Sequence, residues 1–195
     1  MMNTLFRATA LAGTLLIIPA CTQTTPVEPT EAAIVEQAGA PLFDGMGDYT
    51  RPISTSNPYV QRYFDQGMVM AFGFNHAEAI RSFRAAQALD PDCAMCFWGE
   101  ALATGPNINV TANGKPVMTE AEQIAAYAAL QRALELAPDA PQIERDMIAA
   151  LATRYTEEPV DDRTQIDIQY ARAMGELKAR YPDDDDIAAM YAEAW

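Results

Sequence analysis

Positive charge is scarce in this chain of 195 residues: 13 Lys and Arg stand against 27 Asp and Glu, for a formal net charge of -14. A nucleic-acid binder releases counterions by setting clustered cations against phosphate, so no nucleic-acid partner is expected. Histidine is scarcer still, with His76 alone. No Gly-x-Ser-x-Gly, His-Glu-x-x-His or Gly-x-x-x-x-Gly-Lys run occurs, which removes the nucleophile elbow, the helical zinc pair and the phosphate loop. No catalytic residue, cofactor or metal site is read from the sequence, and an enzyme is not expected. Cysteine is limited to Cys21, Cys93 and Cys96. No apolar run reaches the roughly 20 residues that span a bilayer as a helix. Half of the residues are nevertheless hydrophobic, enough to build a core.

The address lies at the start. After the single cation Arg7, the uncharged run Ala8 to Ala20 is 13 residues long and ends at Cys21. That length and the flanking charge fit a signal peptide over residues 1–20. Ile17-Ile18-Pro19-Ala20-Cys21 resembles the bacterial lipobox. The resemblance implies lipidation of Cys21, with ordinary cleavage or an uncleaved start as the alternatives. Thr22 after the cysteine implies sorting to the outer membrane by the same resemblance. Residues 21–56 read as a lipid-anchored flexible tether and lead-in, because Thr22 to Ala40 is mostly Thr, Pro, Glu and Ala, with little to bury.

From residue 57 to 195 the apolar spacing is helical throughout. Asn57-Pro58 offers a cap and an N1 proline for a helix to Phe72. Gly73 is a terminator, and Asn75 with Glu78 predicts a capped helix to Leu89. Asp90-Pro91 repeats the device for a third helix to Thr104. Thr119 with Glu122 predicts a capping box ahead of a helix to Leu136. Pro141 to Arg154 and Asp162 to Arg180 give the next two helices, with Asp162 and Gln165 as a further box, and Asp183 to Asp186 opens a last one. The apolar face of that last helix, Ile187, Met190, Tyr191, Ala194 and Trp195, is expected to be exposed, since no capping helix follows it.

Counted back from Pro91, residues Ala86, Phe83, Ala79, Gly67 and Tyr63 fall at offsets 5, 8, 12, 24 and 28, and Ala133, Leu130 and Ala126 fall at the first three of these before Pro138. These positions resemble the tetratricopeptide consensus. Small residues such as Gly67, Ala79 and Ala101 let helices approach closely while Phe83 or Leu130 fills the space between units. The resemblance implies an all-α fold: tetratricopeptide-like antiparallel helix pairs stacked as a short right-handed superhelix, about three pairs plus one terminal helix. More specifically, Leu42-Phe43-Asp44-Gly45, Gly73-Phe74-Asn75-His76-Ala77-Glu78-Ala79, Cys93-Ala94-Met95-Cys96 and Gly105-Pro106-Asn107-Ile108-Asn109 resemble stretches of a group of bacterial exported tetratricopeptide proteins. Members of that group continue beyond the point matched by Trp195, which implies a fragment or a truncated member.

Three clusters are candidate sites. Cys93 and Cys96, placed near N3 and N6 of a helix, read as buried thiols, a disulfide, or a metal or redox pair. Joining them to His76 as one metal site fails on distance, because the intervening helix puts roughly 20 Å between them. Asn75, His76, Asn107 and Asn109 form a possible polar edge cluster, for which cap and turn chemistry is the competing account. Asp183 to Asp186 lacks the alternating spacing of a calcium loop, and the methionines, Met68 and Met147 among them, fit core packing. The function expected is therefore an exported, lipid-anchored scaffold holding a protein or peptide partner at the cell envelope, in the periplasm and tied to the membrane only by its N-terminal lipid. The alternative is a periplasmic metal-binding or thiol-redox protein using Cys93 and Cys96 with residues of a missing C-terminal half.

Overall fold

The computed structural model describes residues 29–107 and 117–194. The signal segment, Cys21, Asn109 and Trp195 lie outside the described residues. Among the described residues the fold is all-helical, with no strand: α1 (Glu31–Ala38), α2 (Pro58–Phe72), α3 (His76–Leu89), α4 (Ala94–Thr104), α5 (Glu120–Leu136), α6 (Gln142–Ala152), α7 (Thr164–Arg180) and α8 (Asp185–Glu193). From α2 onward each helix packs on the next, and α1 packs on α3. No described helix is long and apolar enough to cross a membrane.

Helix starts follow side-chain chemistry. Asn57 accepts from the Tyr59 N–H at 3.0 Å ahead of Pro58, and Thr119 and Glu122 form the reciprocal box at the start of α5. Asp184 caps α8 by accepting from Ile187 N–H at 2.9 Å. Other expectations are corrected. Part of the tether is helix: Thr30 caps α1, Gly39 closes it in the left-handed region at φ 72°, and Ile34 and Ala38 are buried. Helix α4 begins after Cys93 and not at Asp90, because Asp90 closes a turn, its carbonyl accepting from Cys93 N–H and its carboxylate from Asp92 N–H. Cys93 and Cys96 are thus N-cap and N3. Asn75 makes no side-chain cap; its amide goes to the Met70 sulfur. Helix α7 starts at Thr164 without a side-chain cap, and Asp162 bonds Thr164 N–H at 2.9 Å in place of a box with Gln165.

The end of α2 is also unlike the expectation. Gly73 keeps φ at -81°, and it is Phe74 that takes the left-handed conformation, at φ 59°. Its N–H bonds Ala71 O and the N–H of Asn75 bonds Met70 O, the pairing of a Schellman turn. An aromatic residue in that region is strained by its Cβ.

Close packing centres on Phe83. Its ring is fully buried on α3 between Gly67 of α2 and Gly99 of α4. A Cβ on either glycine would lie 2.6 or 2.4 Å from the ring, so glycine at both places is what admits Phe83. The main core continues through Trp98, Leu130, Met147, Ile148 and Leu151 to Tyr170, Met174 and Leu177 on α7. Ile187 and Met190 belong to it as well, at 0% and 2% exposure. The apolar face of α8 is therefore covered over these two positions, against expectation, and Tyr191 is half-buried beside Gly175. A second, smaller core gathers Val60, Tyr63, Ala85, Ala86, Cys93 and Cys96.

Candidate binding surface

Between α1 and α2, residues 41–57 are neither helix nor strand, so their backbone groups need partners from elsewhere. Side chains of the helices provide them. Gln66 accepts from Phe43 N–H at 2.8 Å and donates to Pro41 O. Asp65 accepts from Arg51 N–H at 3.0 Å, and Gln61 accepts from Ile53 N–H at 3.1 Å while donating to Arg51 O at 2.8 Å. Glu144 of α6 takes both Ser54 N–H and its hydroxyl, at 2.7 and 2.6 Å. One face of α2 thus holds a non-helical backbone with amides and carboxylates, and α6 closes over its far end.

The segment also reaches α8. The Arg51 guanidinium, on a residue 8% exposed, donates to both oxygens of Asp184 at 3.0 and 3.1 Å and to Asp186 at 2.9 Å, with the Met147 sulfur as a further acceptor. Tyr49 donates its hydroxyl to Asp186 at 2.9 Å, and its ring meets Phe72 edge-on with centroids 6.1 Å apart. Burial raises the Asp184 carboxyl, but the Arg51 and Ile187 hydrogen bonds outweigh it and hold the group below the ordinary carboxylate range. Asp65 goes the other way, raised chiefly by burial. The Tyr49 hydroxyl is pushed far up by burial and then by Asp186, so it stays a donor.

The polar edge is only partly assembled. His76 and Asn107 line one cavity of about 440 Å³ with Ile80, Gly105 and Thr119, whereas Asn75 is exposed and points to Met70. The His76 ring nitrogens are shielded from solvent without a hydrogen bond of good geometry, and burial lowers the imidazole below its ordinary range. The neighbouring Phe74 ring lies edge-on, 6.2 Å away.

Cys93 and Cys96 are joined in a disulfide. They are 3% and 0% exposed among Val60, Tyr63, Ala85 and Ala86. Thiol exchange needs a thiolate to reach a sulfur, and both sulfurs are enclosed by these side chains. Among the described residues no group of three or more His, Cys, Asp and Glu is arranged to hold a metal ion.

What the sequence reading missed is Arg51 and its acceptors. Their separations along the chain are 133 and 135 residues, beyond the reach of any local spacing rule. The only sequence signal was Arg51-Pro52, the single cation of residues 41–57 beside a residue that has no backbone N–H. Compared with family models, curated proteins and solved structures, the chain matches none.

Proposed function

We propose that the chain is an exported, lipid-anchored helical-repeat scaffold of the tetratricopeptide type, which holds a protein or peptide partner at the cell envelope. The observation that carries this reading is the way Gln61, Asp65, Gln66 and Glu144 hold the backbone of a non-helical segment. Peptide recognition by helical repeats asks for such groups: side chains on rigid helices that satisfy an unpaired backbone. The anionic surface, at net charge -14, selects a basic or neutral partner over an acidic one. Lipidation at Cys21 would place the scaffold at the membrane with two or more acyl chains, the number that stable anchoring needs.

Site-specific crosslinking in intact cells tests the binding role. A photoreactive residue at Thr50 or Phe72, on the face that carries the segment, is expected to yield adducts with another protein; the same residue at Ile168 of α7 is the control. The absence of adducts from both Thr50 and Phe72 would sink the reading. The address has its own test: Cys21→Ser is expected to move the protein out of the membrane fraction, and unchanged fractionation would remove the lipid anchor.

A further inference from the structure

We propose that the cavity beside His76 is a binding site for a small, uncharged phenol whose O–H donates to the imidazole. The inference is independent of the scaffold reading. The cavity, of about 440 Å³, lies where the start of α3, the end of α4 and the start of α5 come together, and its size is that of a small-molecule site. Two irregularities meet there. Both ring nitrogens of His76 are shielded from solvent without a hydrogen-bond partner of good geometry, whereas buried polar groups are almost always paired. Two residues earlier, Phe74 is held at φ 59° with its ring edge-on to the imidazole, centroids 6.2 Å apart. Backbone strain of this kind gathers where it positions a functional group.

Hydrogen-bond accounting names what is missing. Burial disfavours the charged imidazole, and a neutral ring carries one N–H and one lone pair. The backbone of Ala103 is the acceptor turned toward the ring, so the N–H belongs on that side and the other nitrogen is an unmatched acceptor. Hydroxyls on the cavity wall are already committed: Thr104 donates to Glu100 O at 2.8 Å and Thr119 to Glu122 at 2.9 Å. A ligand must therefore bring a donor. A carboxylate has none, and it would face Glu122 on the wall and Glu193 near the ring. An ammonium would shed its hydration among Ala77, Ile80, Ala103 and Val117 in return for one neutral acceptor. A neutral aromatic body suits those four side chains, and a phenol adds the O–H. Because the nitrogens are shielded, binding turns the ring about χ2, a torsion with broad wells.

His76 is the only histidine, so ring-nitrogen NMR of the full wild-type chain, labelled in histidine, reports a single imidazole. At neutral pH, p-cresol is expected to shift the resonance of the bare nitrogen toward the protonated range, saturably. Toluene, the same body without the hydroxyl, is expected to bind roughly tenfold more weakly, the worth of one hydrogen bond, and to leave that resonance in place. His76→Phe, whose ring accepts no such bond, is expected to bring the two affinities together. Equal affinities of p-cresol and toluene for the wild-type chain overturn the proposal without any variant. An imidazole unmoved by p-cresol also overturns it. A shift given only by N-acetyltyrosinamide would make the cavity a pocket for a partner's side chain, and one given only by zinc a metal site, both against it.

Discussion

Phe83 is enclosed by two glycines, and Arg154 by two tyrosines. Around Phe83, three helices meet closely enough that only glycine fits against the ring on either side. Around Arg154, at the end of α6, the joint is made of polar groups. Arg154 is 6% exposed, lies 4.4 Å over the Tyr170 ring and donates to Pro106 O at 2.9 Å. Arg163 donates to Arg154 O at 2.6 Å, and the Tyr155 hydroxyl donates to Ala101 O at 2.6 Å. The Tyr155 bond replaces a helical one, since Gly105 N–H turns to Leu102 O where α4 ends. The apolar joint draws its stability from shape, and the polar joint from hydrogen bonds that satisfy carbonyls left free at helix ends, although the Nε of Arg154 and of Arg163 is buried without a partner.

The largest expected effect breaks the apolar joint. Phe83→Ala leaves a ring-sized cavity that the flanking glycines cannot fill, and denaturant unfolding should show a loss of about 3 to 5 kcal/mol. In the polar joint, Tyr155→Phe leaves Ala101 O without a partner and should lose about 1 to 3 kcal/mol. The two sites also differ in their response to pH. Burial pushes the Tyr155 hydroxyl up to about 12, whereas the unfolded group titrates near ~10. Its contribution is therefore complete below the unfolded value and is lost as pH rises through the folded one. Alkaline unfolding curves should be shallower for Tyr155→Phe and unchanged in slope for Phe83→Ala.

Reduction of Cys93–Cys96 is expected to lower stability by about 2 kcal/mol or less, since the bridge closes a very short loop. Thiol labelling should precede unfolding only if the pair is open to solvent, and its burial predicts that labelling follows unfolding instead. A smaller gain is expected from Phe74→Gly, which relieves the left-handed strain at φ 59° and should raise stability by about 0.5 to 1 kcal/mol. Smallest is His76→Ala, expected to lose about 1 kcal/mol or less at neutral pH. The folded imidazole is lowered by burial, so the native protein disfavours its proton and loses stability as pH falls below the unfolded value of about 6.5. The variant should remove that loss.

The apolar joint was legible in the sequence and the polar one was not, for a physical reason. Small residues and a ring at helical spacing must face one another, so Gly67 and Phe83 could be paired from their positions along the chain, although Gly99 was missed beside Ala101. The capping box of Thr119 and Glu122 is equally local. Asn75 and Asp162 offered the same local signal, but each found a different nearby partner, Met70 and Thr164, because side-chain caps compete with other bonds of similar strength. Helix α1 carried its own signals in Thr30 and Gly39, outweighed by the tether-like composition around them. Nothing in the local sequence marks Arg51, Arg154 and Arg163 for burial. The acceptors of Arg51 and Arg154 are brought in by the fold from distant positions, while Arg163 turns to the nearby Arg154 O and Asp167.

Arg51 and Tyr49 also tie together distant parts of the described chain, their acceptors lying 133 to 137 residues later. The entropy of closing a loop grows only slowly with its length, so contacts at that separation cost little more to form than shorter ones. They join the segment ahead of α2 directly to the start of α8, and loosening either one is felt at the other.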